Sequence, residues 1–133
     1  MLFPMFMMVL LTFIVGLITM KCRFESVKSG TVRPKYFKLM EGQDVPEFFK
    51  ATTRCFSNMF EVPLIFYVGC LLYISLSVES LIGVLLAWLF VLMRYVQAYV
   101  HLTYNNVIHR MLSFWIAFLS TIGLWLNLLY LQI

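Results

Sequence analysis

Four ionisable side chains stand in stretches of this sequence that are otherwise strongly apolar: Arg54, Glu61, Arg94 and Arg110. On a continuous helix, the i, i+4, i+7 spacing of Arg54, Asn58 and Glu61 puts all three on one face. A charge at the centre of a membrane helix costs about 2.5–3.5 kcal/mol on insertion scales, so such groups are rare and usually paired. The three arginines outnumber the single glutamate. This surplus of positive charge favours an anionic ligand or a lipid headgroup.

A purely structural role for the same residues is the alternative. Glu61 can pair with Arg94 or Arg54 and so hold two helices together. Arg110 can extend its long side chain to the membrane surface. In either case the residues support the fold and bind nothing.

The stretch HLTYNNVIHR, from His101 to Arg110, adds a cluster of polar residues around one short turn. Its two histidines have no carboxylate nearby, so we predict no metal site. Asn105 or Asn106 is expected to cap the following helix. His101 is a candidate for proton transfer because its ordinary pKa lies near neutral. The chain's three cysteines lack metal-ligand and CxxC spacing and are expected to be buried as small hydrophobic residues.

The composition indicates a membrane protein. Of the 133 residues, 62% are hydrophobic and only 12% are charged, whereas about a quarter of the residues of a soluble domain are charged. So few polar groups cannot cover the surface of a water-soluble fold, so the bilayer must be the solvent. The basic residues are concentrated between positions 21 and 50, which favours a membrane surface over nucleic acid as their partner.

The fold class predicted is an all-α membrane protein, a bundle of four transmembrane helices in a single domain over residues 1–133. A bilayer core of about 30 Å needs about 20 helical residues, and four stretches satisfy this: about 2–20, 47–76, 81–100 and 107–131. Short links after the second and third spans predict antiparallel hairpins. The first span is expected to be a retained helix, since no charged segment or cleavage site of a signal peptide accompanies it.

Six lysines and arginines lie in the first loop, so this loop is expected to be cytoplasmic. The second link has Glu79 and no basic residue, and the third ends at His109 and Arg110, which agrees with alternating sides. The C-terminal LLYLQI does not resemble an endoplasmic-reticulum retention signal, so a bacterial inner membrane is the expected location.

Two motifs together resemble the MAPEG family, the membrane-associated proteins of eicosanoid and glutathione metabolism. The first is R-x-x-x-N-x-x-E, formed by Arg54, Asn58 and Glu61, with Pro63 shortly after it. The second is RYVQAY, from Arg94 to Tyr99, which is similar to RYFQGY in a family member. With four spans and a basic first loop, the resemblance covers nearly the whole chain.

The resemblance implies a homotrimer that binds glutathione between neighbouring subunits. It assigns Arg54, Asn58, Glu61, Tyr95 and Tyr99 to glutathione binding and Arg110 to activation of the thiol, with Arg94 and His101 in supporting roles and no metal. A different register, aligned on Arg94 alone, would put Gln97 and His101 at the site in place of the two tyrosines.

The function expected from the resemblance is glutathione-dependent conjugation or reduction of lipophilic electrophiles that enter from the bilayer. Two departures from the family pattern, Ser57 and Met111, favour a non-enzymatic family member that binds a lipid or a protein partner. A purely structural small membrane subunit is the third possibility. Arg54 and Arg110 favour the enzyme.

Overall fold

The computed structural model of the protein describes residues 1–133 and is entirely helical, with no strand. Its helices are α1 (Leu2–Lys28), α2 (Glu47–Ser57), α3 (Val62–Ser75), α4 (Leu81–Leu102) and α5 (Val107–Gln132), and a short 3-10 helix covers Pro34–Lys38. Counting α2 and α3 as one segment, four helical segments are long and apolar enough to cross a membrane. The predicted all-α, four-span fold is therefore confirmed.

The second span occurs at the predicted place, over Glu47–Ser75, but its helix is not continuous, because it breaks between Ser57 and Val62. Pro63 explains the break. Proline has no backbone N–H, and its ring would clash with the carbonyl four residues earlier, here that of Met59. Pro63 is accommodated instead in the first turn of α3, where the missing N–H would have no partner in any case.

One apolar core runs through the bundle. The α4–α5 pair has the most extensive packing, α2 packs against α1 and α4, and α3 packs mainly against α5 and α1. Gly69 allows the close approach of α3 and α5, since a Cβ there would lie 2.6 Å from Cδ2 of Leu124. α3 and α4, which were expected to form a hairpin, pack much less against each other than α4 and α5 do. Their contact includes Phe66 stacked on Phe90, with ring centroids 4.2 Å apart.

The outward faces of the helices are also apolar. Side chains such as Phe13, Leu85, Leu119 and Leu126 are each at least 60% exposed on the surface of the chain. A soluble monomer rarely exposes apolar patches of this extent, so these faces are suited to lipid or to other protein surfaces within the bilayer.

The loop over residues 29–46 is ordered. A small buried cluster of Cys22, Val32, Val45 and Phe49 joins it to α1 and α2. The Asp44 carboxylate accepts a hydrogen bond of 2.7 Å from Lys50 Nζ, and this ammonium group lowers the pKa of the Asp44 carboxyl.

The third link also has the predicted cap, because Asn106 Oδ1 accepts from the N–H groups of Ile108 and His109. Residues 29–46 and 103–106 define what we call the loop end of the bundle.

Candidate functional site

The site is centred on Arg94, a guanidinium that is 1% exposed in the interior of the bundle. Its Nη1 donates to Gln97 Oε1 at 2.8 Å, and its Nη2 donates to the backbone carbonyl of Asn58, the residue at which α2 ends. The buried Nε has no hydrogen-bond partner. Arg94 therefore joins α4 to the helix break and still has an unused donor.

No carboxylate neutralises Arg94. The chain has two ion pairs, Lys21–Glu25 near the end of α1 and Lys50–Asp44 at the start of α2, and neither includes Arg94. The alternative in which Glu61 forms an ion pair with Arg94 or Arg54 is therefore wrong, since Glu61 is within ion-pair distance of neither. Glu61 is exposed within the helix break, although its charge still interacts with that of Arg94. The negative end of the α2 dipole, at Asn58, partly compensates the guanidinium.

Two further arginines approach the same region from α2 and α5. Arg54 lies one turn before Asn58 on α2, next to the buried Cys55. Arg110 bonds to Asn105, in the turn that follows α4. We call Arg54, Arg94, Arg110, His101 and Cys55 the cationic cluster. It lies in the half of the bundle toward the loop end, which contains α2, the C-terminal half of α4 and the start of α5.

His101 lies deep in this cluster. It is 2% exposed, and its buried Nε2 has no hydrogen-bond partner. A buried polar nitrogen that lacks a partner costs free energy, and native proteins usually avoid this. The cluster thus contains two such nitrogens, Arg94 Nε and His101 Nε2, each able to bond to a ligand.

The motif residues of the second span do not share one helical face, because the break separates them. Arg54 lies on α2 with an exposed side chain, Asn58 caps the end of α2, and Glu61 precedes α3 with φ −92° and ψ −96°. The prediction of a single stripe was therefore wrong, since the i, i+4, i+7 rule requires a continuous helix.

The third-helix residues divide between two sides of α4. Arg94, Gln97 and His101 are all buried toward the cationic cluster, whereas the Tyr95 hydroxyl donates to the backbone carbonyl of Met7 on α1 at 2.9 Å. Tyr99 is 65% exposed. Within one chain, Tyr95 and Tyr99 are thus outside the cluster. Of the residues of the other register, His101 belongs to the cluster and Gln97 accepts a hydrogen bond from Arg94.

Arg110 is half-buried near the start of α5, and its Nη1 donates to Asn105 Oδ1 at 2.6 Å. This bond fixes one end of the guanidinium against the turn before α5. His109 faces the other way, bonding Tyr104 through Nδ1 at 2.9 Å. Cys55 is 1% exposed in the apolar core, as the sequence predicted.

The cluster can attract and hold an anion. Its three cations have no ion-pairing acid, and a low-dielectric environment strengthens their electrostatic attraction. It has no arrangement suited to a metal, since no three His, Cys, Asp or Glu side chains come together anywhere in the chain.

Fold and cluster together define a multi-pass integral membrane protein with four spans and a cationic site centred on the buried Arg94. The chain matches the MAPEG family over residues 1–130 and belongs to that family. No curated protein and no solved structure shows a significant match to it.

Proposed function

We propose that this protein binds glutathione at the cationic cluster and uses it to conjugate or reduce lipophilic electrophiles from the bilayer. The observation that carries the proposal is a pair of buried nitrogens without partners, Arg94 Nε and His101 Nε2, about two turns apart on α4. None of Arg54, Arg94 and Arg110 has an ion-pairing carboxylate, so the positive charge of the cluster is in surplus. Glutathione has two carboxylates and one ammonium group, so its net charge is negative and complements this surplus.

The chemistry fits the residues present. Arginine guanidinium groups bind carboxylates through pairs of parallel hydrogen bonds, and Arg54 makes no ion pair or side-chain hydrogen bond within the chain that would compete. The ammonium group of glutathione needs an acid, and Glu61, an exposed carboxylate in the break after Asn58, is the proposed partner. Arg94 Nε and His101 Nε2 are further partners at the base of the site.

Arg110 is the proposed thiol-activating residue. A thiol of pKa about 8.5 is only a few per cent ionised at neutral pH, and the thiolate is the nucleophile. Lowering that pKa by about 1.5 units requires about 2 kcal/mol of preferential stabilisation of the thiolate. A charge-assisted hydrogen bond from a guanidinium contributes about this much in a partly dry site. The bond to Asn105 fixes the Arg110 guanidinium against the turn before α5.

The proposed assembly is a homotrimer with glutathione between subunits. Three of the assigned residues, Arg54, Glu61 and Tyr99, are exposed in the single chain, and the Tyr99 hydroxyl makes no hydrogen bond within it. A neighbouring subunit packed against these side chains would shield them from lipid and enclose the ligand. The basic loop is proposed to lie on the cytoplasmic side, in a bacterial inner membrane.

The test is the thermal stability of the detergent-purified protein with and without reduced glutathione. At about 100 times the dissociation constant, a ligand that binds only the native state adds about 2.7 kcal/mol to stability. Arg54→Ala and Arg110→Ala should abolish the shift. Lys35→Ala, in the exposed loop, is the control and should retain it. A wild-type protein that does not shift at saturating glutathione would overturn the proposal.

A non-enzymatic binder of a lipid or protein partner is the second candidate. The observation that favours it is the hydroxyl of Tyr95, which bonds to α1 and is not directed to the cluster, together with Met111, an exposed thioether directly after Arg110. Turnover assays decide between the two functions. Glutathione binding without conjugation of an electrophile or reduction of a hydroperoxide would favour the binder.

A further inference from the structure

A second feature of the molecule lies on its outer surface, and no residue of the cationic cluster lines it. An elongated cleft of about 950 Å³ lies between α1 and the α2–α3 segment. Its walls are mostly apolar; Phe13, Leu17 and Met20 line one side, and Phe56 and Phe60 line the other. The cleft follows α1 from Val9 to Val27.

Arg23 lies at one end of this apolar cleft. Its Nε is shielded from solvent and has no hydrogen-bond partner, and Arg23 takes part in neither of the chain's two ion pairs. The apolar part of α1, residues 2–20, is about 28 Å long at about 1.5 Å per residue, close to the thickness of a bilayer core. Arg23 is one turn beyond it, at the depth of the lipid headgroups.

We propose that the cleft is a binding site for an anionic glycerophospholipid, with an acyl chain along α1 and the phosphate on Arg23. The charge complementarity argues for this occupant, since a phosphate supplies the acceptors that the guanidinium lacks. A second copy of the chain is less suitable because residues 21–50 carry a net charge of +3. An identical chain in the cleft would bring another basic segment beside Arg23. The site is independent of glutathione binding.

The experiment is lipid retention by the full detergent-purified chain. The protein is mixed with equal amounts of phosphatidylglycerol and phosphatidylcholine in micelles and purified again, and the bound lipids are counted by native mass spectrometry. The wild type should retain phosphatidylglycerol preferentially. One basic residue near a membrane surface contributes enough to anionic lipid binding that Arg23→Gln should reduce retention about five-fold. Arg33→Gln, the same change in the exposed loop, is the matched control.

A second pair of variants tests the apolar part of the cleft. Leu17→Trp fills it, whereas Leu10→Trp places the same side chain elsewhere on α1, outside the cleft. Loss of retention in Arg23→Gln and Leu17→Trp, with retention kept in both controls and all variants folded by thermal unfolding, would support the proposal. Equal retention in either matched pair would overturn it.

Two further outcomes would also overturn the lipid site. Displacement of phosphatidylglycerol by excess inorganic phosphate would mean that Arg23 binds phosphate without a need for the acyl chain. Efficient cross-linking of Leu17→Cys chains to one another by a bismaleimide in the membrane would mean that a second copy covers the cleft.

Discussion

Arg94 on α4 donates a hydrogen bond to the backbone carbonyl of Asn58, the residue that ends α2. This bond connects positions 36 residues apart and places a buried cation at the negative end of a helix dipole. It also holds the break that separates Asn58 from Glu61. The positions of Asn58 and Glu61, which are proposed to bind the ligand, therefore depend on Arg94, which supports the helix break.

Replacement of Arg94 by lysine tests this support. We expect Arg94→Lys to lower the free energy of unfolding by about 1–3 kcal/mol, because an ammonium group cannot reproduce the guanidinium fork and one buried acceptor loses its partner. Thermal unfolding in detergent measures the change. Arg33→Lys, at an exposed position, is the control and should leave the Tm unchanged. Equal Tm values for the two variants would contradict the role assigned to Arg94.

Pro63 is expected to control the site through the helix break. Pro63→Ala restores a backbone N–H and removes the clash with the Met59 carbonyl, so α2 can continue toward α3. Such a change would rotate Glu61 relative to the cluster. We expect a folded protein whose Kd for glutathione rises about ten-fold, or about 1.4 kcal/mol, measured by ligand-dependent thermal shift. Pro34→Ala, at an exposed position in the loop, should leave the Kd unchanged. An unaltered Kd in Pro63→Ala would mean that the break is irrelevant to binding.

The Tyr95 hydroxyl is expected to act in packing. Tyr95→Phe removes the bond to Met7 and should lower stability by about 1 kcal/mol without changing the Kd for glutathione. Tyr99→Phe removes a hydroxyl with no partner in the chain and should leave the Tm unchanged. Both parameters come from one thermal titration. A raised Kd with an unchanged Tm in Tyr95→Phe would assign its hydroxyl to the ligand.

The contact of Gly69 with Leu124 is expected to limit the size of both side chains. Gly69→Ala introduces a methyl group 2.6 Å from Leu124 Cδ2, and such overpacking costs about 1–3 kcal/mol. Leu124→Ala alone should cost about 2–5 kcal/mol through the cavity it leaves. The double variant should lose less than the sum of the two. Strictly additive losses in Tm-derived stability would mean that the helices move apart freely.

The spans were predictable because the bilayer imposes a simple requirement on length and polarity. Helices beginning at Leu81 and Val107 were expected there and occur there. α1 runs eight residues past its predicted end to Lys28, since hydropathy marks where a helix leaves the lipid and not where its hydrogen bonding stops. The break at Asn58–Glu61 has a local cause in Pro63, since a proline cannot continue a helix through the preceding turn.

The sequence by itself determined the class of this protein. Its apolar spans, short links and family motifs define a four-helix membrane protein and single out Arg54, Arg94 and Arg110. Only the tertiary structure decided how these residues are arranged: Arg94 bonds a backbone carbonyl instead of Glu61, Tyr95 bonds α1, and His101 joins the cluster. The physical reason is that helical periodicity relates residues within one helix, whereas the partner of a buried polar group depends on which helices pack together.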